Sequence, residues 1–237
     1  MSKELILIII GIAVAVLLCF LLAIANYSGE RFLEKYKKFD SVPMETNMDI
    51  KSYVHHLNLK YFSGDLQVVQ IPNLAGDAYT KKTLYLSSNT LSKDSIASFT
   101  IVSHELGHAL QDKQGNKLKK LFRLKIFLRI ISVFMMPSLL AGVILLFFGE
   151  DYLLYGSILL ALAGFIFLLS LFMKLLTISI EKDASNKALV FLREIASEKQ
   201  VKICKKFLND ARLTYWGDFL RLFFSWTFLS RKTSLFS

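Results

Sequence analysis

The sequence predicts a mainly α integral membrane protein, with three to four transmembrane or interfacial helices and one small α+β segment. Three observations carry that reading. Of the 237 residues, 54% are hydrophobic and 20 are phenylalanine. Three apolar runs, Leu5–Ala25, Ile130–Phe148 and Tyr152–Met173, contain no charged residue, and each is long enough as helix to cross roughly 30 Å of hydrocarbon. The net charge of +10 is concentrated beside those runs rather than spread along the chain.

The first run predicts a retained anchor over residues 1–25. Its apolar core exceeds the usual signal-peptide length, and the following "IANYSGERF" offers no small-residue cleavage pattern. Arg31, Lys35, Lys37 and Lys38 follow this run, while Lys117, Lys119, Lys120, Arg123, Lys125 and Arg129 precede the second. The link between the second and third runs is only "GED". The positive-inside bias then puts residues 26–125 and everything after the third run in the cytoplasm of a multi-pass cell-membrane protein. Lysines that flank lipid-spanning helices, without an aromatic and basic binding motif, argue against nucleic acid as a partner. The two cysteines, Cys19 and Cys204, have no metal-ligand neighbours and read as free thiols of a reducing compartment.

Between the first and second runs, residues 26–129 form the stretch large enough for an aqueous fold. "ERFLEKYKKF" is amphipathic and continues the first helix outward. "TNMDIKSYVHHLNL" predicts a short helix capped by Thr46 or Asn47, with Met48, Ile50, Val54 and Leu57 as its apolar face. "DLQVVQI" and "KTLYLSS" predict two strands joined by the loop "PNLAGDAYTK", a short β-hairpin. "SKDSIASFTIVSHELGHALQDKQG" then predicts a helix capped by Ser92 and stopped at Gly115.

From Lys117 a basic amphipathic lead-in runs into a transmembrane hairpin at 130–173. Residues 174–212 begin with "KLLTISIEKDASNKALVFLREIASEKQ", which keeps helical periodicity without a breaker and predicts one helix leaving the membrane. The apolar segment in 213–237 contains Asp218 and Arg221, which favours an interfacial helix over a short span.

Chemistry concentrates in "SHELGHAL". Residues four apart project from one helix face, so His104 and His108 can offer imidazoles to one ion, and Glu105 sits one residue round as a proton acceptor. That is the division of labour of a zinc hydrolase, where the metal activates a water and the glutamate moves its proton. A catalytic zinc needs a third protein ligand. The metzincin pattern, with a glycine three residues after the second histidine and a further histidine three later, fails because Gln111 and Gln114 stand there. A downstream glutamate on the same side of the membrane is the alternative, and Glu181, Glu194 and Glu198 all qualify. Glu181 opens "EKDASNKAL", whose Ala184, Ser185 and Ala188 form a small-residue face suited to close packing against the HELGH helix. Ser185 is placed to hydrogen-bond a ligating imidazole.

Other residues carry weaker signals. His55 and His56 are adjacent, so they point about 100° apart and read as structural or exposed. Asp112 is one turn from His108, and Tyr215 or Arg212 are candidate oxyanion donors without a spacing that selects either. The strand "KTLYLSS" is a candidate for pairing with an extended substrate.

The run "TLYLSSNTLSKDSIASFTIVSHELGHALQ", followed by "EKDASNKAL" and then "LTY", resembles the bacterial membrane neutral zinc metallopeptidases, the YugP-like family, which are gluzincin-like. The resemblance covers nearly the whole chain. It implies a zincin-like catalytic segment, one zinc ion per chain held by His104, His108 and Glu181, and Glu105 as the catalytic base. It also implies a zinc metalloendopeptidase acting on a protein or peptide substrate, with the bilayer as a partner surface. One element departs: where relatives carry Asp-His-Tyr-Asp-Pro before the second strand, this chain has "GDAYTKK" and keeps only Asp77 and Tyr79.

The expected function is therefore a membrane-embedded endopeptidase with its site on the cytoplasmic face. Glu181 lies eight residues beyond Met173, about 12 Å along a helix, so its substrates are expected to be membrane-bound or membrane-proximal proteins. The rival reading is a membrane scaffold that keeps a structural or vestigial zinc. A transporter is disfavoured because the apolar runs contain no charged residue to mark an ion path.

Overall fold

In a computed structural model of the chain, the described residues are 29–72, 76–115 and 130–224, together with 16, 20, 23, 27, 124 and 126–128, and side chains are described through residue 215. Most of the expected first span, most of the basic lead-in 117–129 and the tail beyond 224 lie outside the described residues.

The elements are helix α1 (29–40), α2 (Ile50–Phe62), strands β1 (Gln67–Ile71), β2 (Ala78–Thr80) and β3 (Thr83–Ser87), and helices α3 (Ser88–Ser92) and α4 (Ile96–Gln114). They are followed by α5 (Met135–Phe147), a short 3-10 turn at Glu150–Tyr152, α6 (Leu153–Leu192) and α7 (Glu198–Phe224). The chain divides into two compact units, Met1–Leu110 with Lys182–Ser237, and Gln111–Glu181. Both boundaries fall inside unbroken helices, α4 and α6.

The first unit is built around α4. Ile96, Phe99, Val102 and Leu106 of α4 recur at helical spacing and are buried against Tyr53 and Leu57 of α2, Leu84 and Leu86 of β3, Phe191 and Leu192 of α6, and Cys204 of α7. A second cluster joins Phe32 of α1 to Ala97 and Ile101 of α4 and to Phe207 of α7. The Phe32 and Phe207 rings stack with centroids 5.3 Å apart, and Lys35 pairs with Asp210 beside them. Burying α4 on several sides explains why its sequence is apolar or small nearly all round: every residue from Ile96 to Gly107 is buried.

The sheet corrects the expected hairpin. "DLQVVQI" and "KTLYLSS" do contain strands, but β1 pairs with β3 in parallel, Gln67 opposite Thr83 through Ile71 opposite Ser87. The hairpin is formed instead by β2 and β3, with Ala78 opposite Tyr85 and Thr80 opposite Thr83. The strand order is β1-β3-β2. β2 has three residues and turns through Lys81 and Lys82, both with positive φ (46° and 67°). Those angles are those of the tight hairpin turn that usually selects Asn and Gly, so two lysines concealed it. Because β3 has strands on both sides, its main chain is already hydrogen-bonded, and the expected pairing of "KTLYLSS" with a substrate does not hold.

Asp77 and Tyr79, the two residues kept from the relatives' element, both secure this turn of chain. One Asp77 carboxylate oxygen accepts from the Ser87 N–H at 2.6 Å and the other from the Thr90 hydroxyl at 2.8 Å. Burial pushes its carboxyl above the usual range. The Tyr79 hydroxyl accepts from the Lys82 N–H at 3.2 Å.

Three helix limits also differ from expectation. α2 is capped by Asp49, which accepts from the Ser52 N–H, and not by Thr46 or Asn47. The first turn of α4 is capped by Ser95, whose hydroxyl accepts from the Ser98 N–H at 3.1 Å, while Ser92 ends α3. The helix leaving the third apolar run stops at Leu192, and Ser197 accepts from the Gln200 N–H at the start of α7. In each case the residue with its side chain placed three before a free N–H outcompetes a neighbour of equal propensity.

The second unit is a helical hairpin. Two stretches, Ile126–Phe147 and Glu150–Leu192, are long and apolar enough to cross a membrane. Large apolar side chains face outward, among them Phe147 (86% exposed), Phe148, Leu154 and Phe165. The arms meet at Gly142 and Gly156, where a Cβ on either would stand 3.0 Å from the other's carbonyl oxygen. Such small-residue crossings let apolar helices approach closely where burial from water is not the driving force.

Candidate metal centre

α4 presents His104 buried and His108 half-buried from one face, with ring centroids 4.8 Å apart and planes at 81°. His104, His108 and Glu181 each offer a ligand atom, and these atoms lie within 4.8 Å of one another. Glu181 stands out from the other candidate glutamates. Glu194 is engaged elsewhere, accepting from Lys60 Nζ at 2.8 Å and from the Tyr61 hydroxyl, with His56 Nε2 at 3.9 Å. Glu198 opens α7.

Two contacts fix α4 against the α6 segment that follows Glu181. Gly107 lies so close to Ala184 that a Cβ on Gly107 would overlap the Ala184 carbonyl oxygen and stand 3.1 Å from its carbonyl carbon. The Ser185 hydroxyl is 3.4 Å from His104 Nδ1. The expected small-residue face is therefore real: Ala184, Ser185 and Ala188 are all buried. Glu105 is 3% exposed, beside His104 on α4.

Beneath the histidines a hydrogen-bond chain enters from α2. The Ser103 hydroxyl donates to the Phe99 carbonyl at 2.7 Å, so the Tyr53 hydroxyl, 2.8 Å away, donates to Ser103. Tyr53 is fully buried, and burial pushes its phenol well above the usual value. Tyr53 escaped sequence reasoning because it looked like any core residue of an amphipathic helix. Gln111 was noted there only as a mismatch; its Nε2 donates to the Ile180 carbonyl at 2.9 Å. The available signal was its position, seven residues after His104 and three after His108.

His55 is exposed and His56 half-buried near Glu194, while Asp112, Arg212 and Tyr215 are partly buried on α4 and α7. Cys204 is a free, fully buried thiol in the core, its pKa raised by burial.

The chemistry of the donor set suits zinc. A tetrahedral ion with ligands about 2.0–2.2 Å away keeps those atoms roughly 3.3–3.6 Å apart, so side-chain torsions suffice to close the cluster from 4.8 Å. Two imidazoles four residues apart and a carboxylate from a second helix make up the His2Glu donor set of zinc-dependent hydrolases. The chain belongs to the family described as "Putative neutral zinc metallopeptidase", whose family model matches residues 12–228. It is 27% identical over 195 residues to a protein of Bacillus subtilis (strain 168) named "Putative membrane protease YugP", covering 81% of this chain and 82% of that protein. No solved structure matches the chain.

Proposed function

We propose that this chain is a membrane-embedded zinc endopeptidase in which His104, His108 and Glu181 hold one zinc ion and Glu105 is the general base. The observation that carries the reading is the gathering of the three donor atoms within 4.8 Å, from helices far apart in sequence. A bound zinc ion supplies Lewis acidity to the scissile carbonyl and lowers the pKa of the attacking water. The protein supplies the rest. Ser185 engages Nδ1 of His104, which leaves Nε2 as the nitrogen for the ion and fixes the ring's orientation. Glu105, about 100° round the helix from His104, is beside the donors without being one of them. It takes the proton of the attacking water and delivers it to the leaving amine nitrogen.

The substrates are membrane-bound or membrane-proximal proteins, because Glu181 belongs to the same helix as the apolar stretch that begins at Leu153. The positive-inside bias puts the site on the cytoplasmic face of the cell membrane. Replacement Glu105→Gln tests the role directly: zinc stays near one per chain while proteolysis falls by about 10²- to 10⁴-fold, the range for a general base. A Glu105→Gln variant indistinguishable from wild type, alongside a His104→Ala variant that loses function, would mean a zinc-bearing scaffold instead.

A further inference from the structure

We infer that Gln111 is a positioning residue for Glu181: its side-chain amide pins the peptide that carries the third ligand. The inference rests on the zinc-site reading above. Gln111 Nε2 donates to the carbonyl oxygen of Ile180 at 2.9 Å, and that carbonyl carbon is bonded directly to the nitrogen of Glu181. The Ile180 carbonyl lies inside a continuous helix, where its first lone pair serves the helical ladder. A carbonyl has two lone pairs, and Gln111 takes the second.

What this bond adds is register. The buried residues of α6 nearest Glu181 are small: Ala184 and Ala188 are fully buried and Ala184 meets Gly107, while the large side chains Phe191 and Leu192 enter the core ten and eleven residues further on. Small apolar surfaces set how near two helices come, yet they resist axial sliding poorly because they offer no interlocking knob. A slip of one helical residue moves a side chain by about 1.5 Å and turns it by about 100°. Either displacement would carry the Glu181 carboxylate out of reach of the two histidines. A directional hydrogen bond to the peptide of Glu181 opposes both at once. Gln111 can do this because 104, 108 and 111 are spaced i, i+4 and i+7, which places the amide and both imidazoles on one face of α4. Glutamine also suits the task chemically. Its neutral NH₂ donates without adding a charge, whereas an ionised glutamate there would set a carboxylate against a carbonyl.

The test is equilibrium zinc affinity of the full chain in detergent, by competition with a chromophoric chelator, for wild type, Gln111→Met, Glu181→Ala and the double variant. Methionine keeps the length of glutamine and removes the donor. Gln111→Met is expected to weaken zinc by about 10- to 100-fold, the usual cost of removing a residue that orients a ligand. Added to Glu181→Ala, it should change the residual affinity little, because the ligand it positions is gone. The midpoint of unfolding of the metal-free protein, measured in parallel, should be similar for wild type and Gln111→Met. Zinc affinity unchanged in Gln111→Met while Glu181→Ala loses it would overturn the positioning role and leave the site reading intact. An equal additional loss in the Glu181→Ala background would also overturn it, since Gln111 would then be acting on the helix as a whole. Full affinity in Glu181→Ala itself would sink the zinc-site reading on which the inference stands.

Discussion

Single residues of the first unit carry separable jobs. Glu194, considered as a ligand from sequence, is a surface carboxylate held by Lys60 and Tyr61. Burial alone would raise its pKa, but hydrogen bonds from those two residues outweigh the burial and hold it below the ordinary 4.5. A depressed carboxylate contributes stability that is present above its ordinary pKa and is lost as pH falls through the lowered value. Glu194→Gln should therefore cost about 0.5–1 kcal/mol at pH 7, the range of a partly exposed ion pair. The gap from wild type in urea unfolding should close as pH is taken below 4.5. A gap that stays constant with pH would mean the carboxylate charge contributes nothing. His104 and His108 were legible as candidate donors because chemistry imposes a four-residue spacing that composition alone does not produce. Tyr53 and Gln111 were not, because hydrogen bonds to Ser103 and to the Ile180 carbonyl depend on partners distant in sequence.

At the scale of elements, the close approach of Gly107 to Ala184 fixes how near the HELGH helix comes to α6. Gly107→Ala would gain about 1 kcal/mol in an exposed helix from propensity alone. Here the sign reverses: the new methyl meets backbone, which cannot rotate away, and overpacking of this kind costs about 1–3 kcal/mol. The expected outcome is a lower unfolding midpoint of the metal-free protein together with weaker zinc binding; a stabilised variant would contradict the contact. Helices were the more legible elements, since their apolar periodicity extends over many residues. The sheet was read only in part. β2 is three residues long and its turn uses lysines at positive φ, so neither alternation nor turn chemistry announced it, and the parallel pairing of β1 with β3 followed from that missing strand. Helix ends were misplaced by a few residues because Asn47 and Ser92 have the same capping propensity as the residues that do cap, Asp49 and Ser95, and Thr46 one only a little lower.

For the whole molecule, one helix joins a long apolar stretch to the candidate site. α6 begins in apolar sequence at Leu153 and carries Glu181 before it ends at Leu192. The two halves of the donor set are thus separated in sequence by the entire helical hairpin, and the chain must return across it before Glu181 can join His104 and His108. The apolar runs of that hairpin were plain in the sequence because neither admits a charge over a stretch long enough to cross a membrane. Glu181 was singled out as the candidate third donor by the small residues beside it and by family resemblance. Whether His104, His108 and Glu181 form one zinc site is decided by metal analysis of purified wild type beside Glu181→Ala. Wild type is expected to carry close to one zinc per chain, and Glu181→Ala to lose it at equal protein recovery. Equal zinc in both proteins, or none in wild type after purification with zinc present, would contradict it.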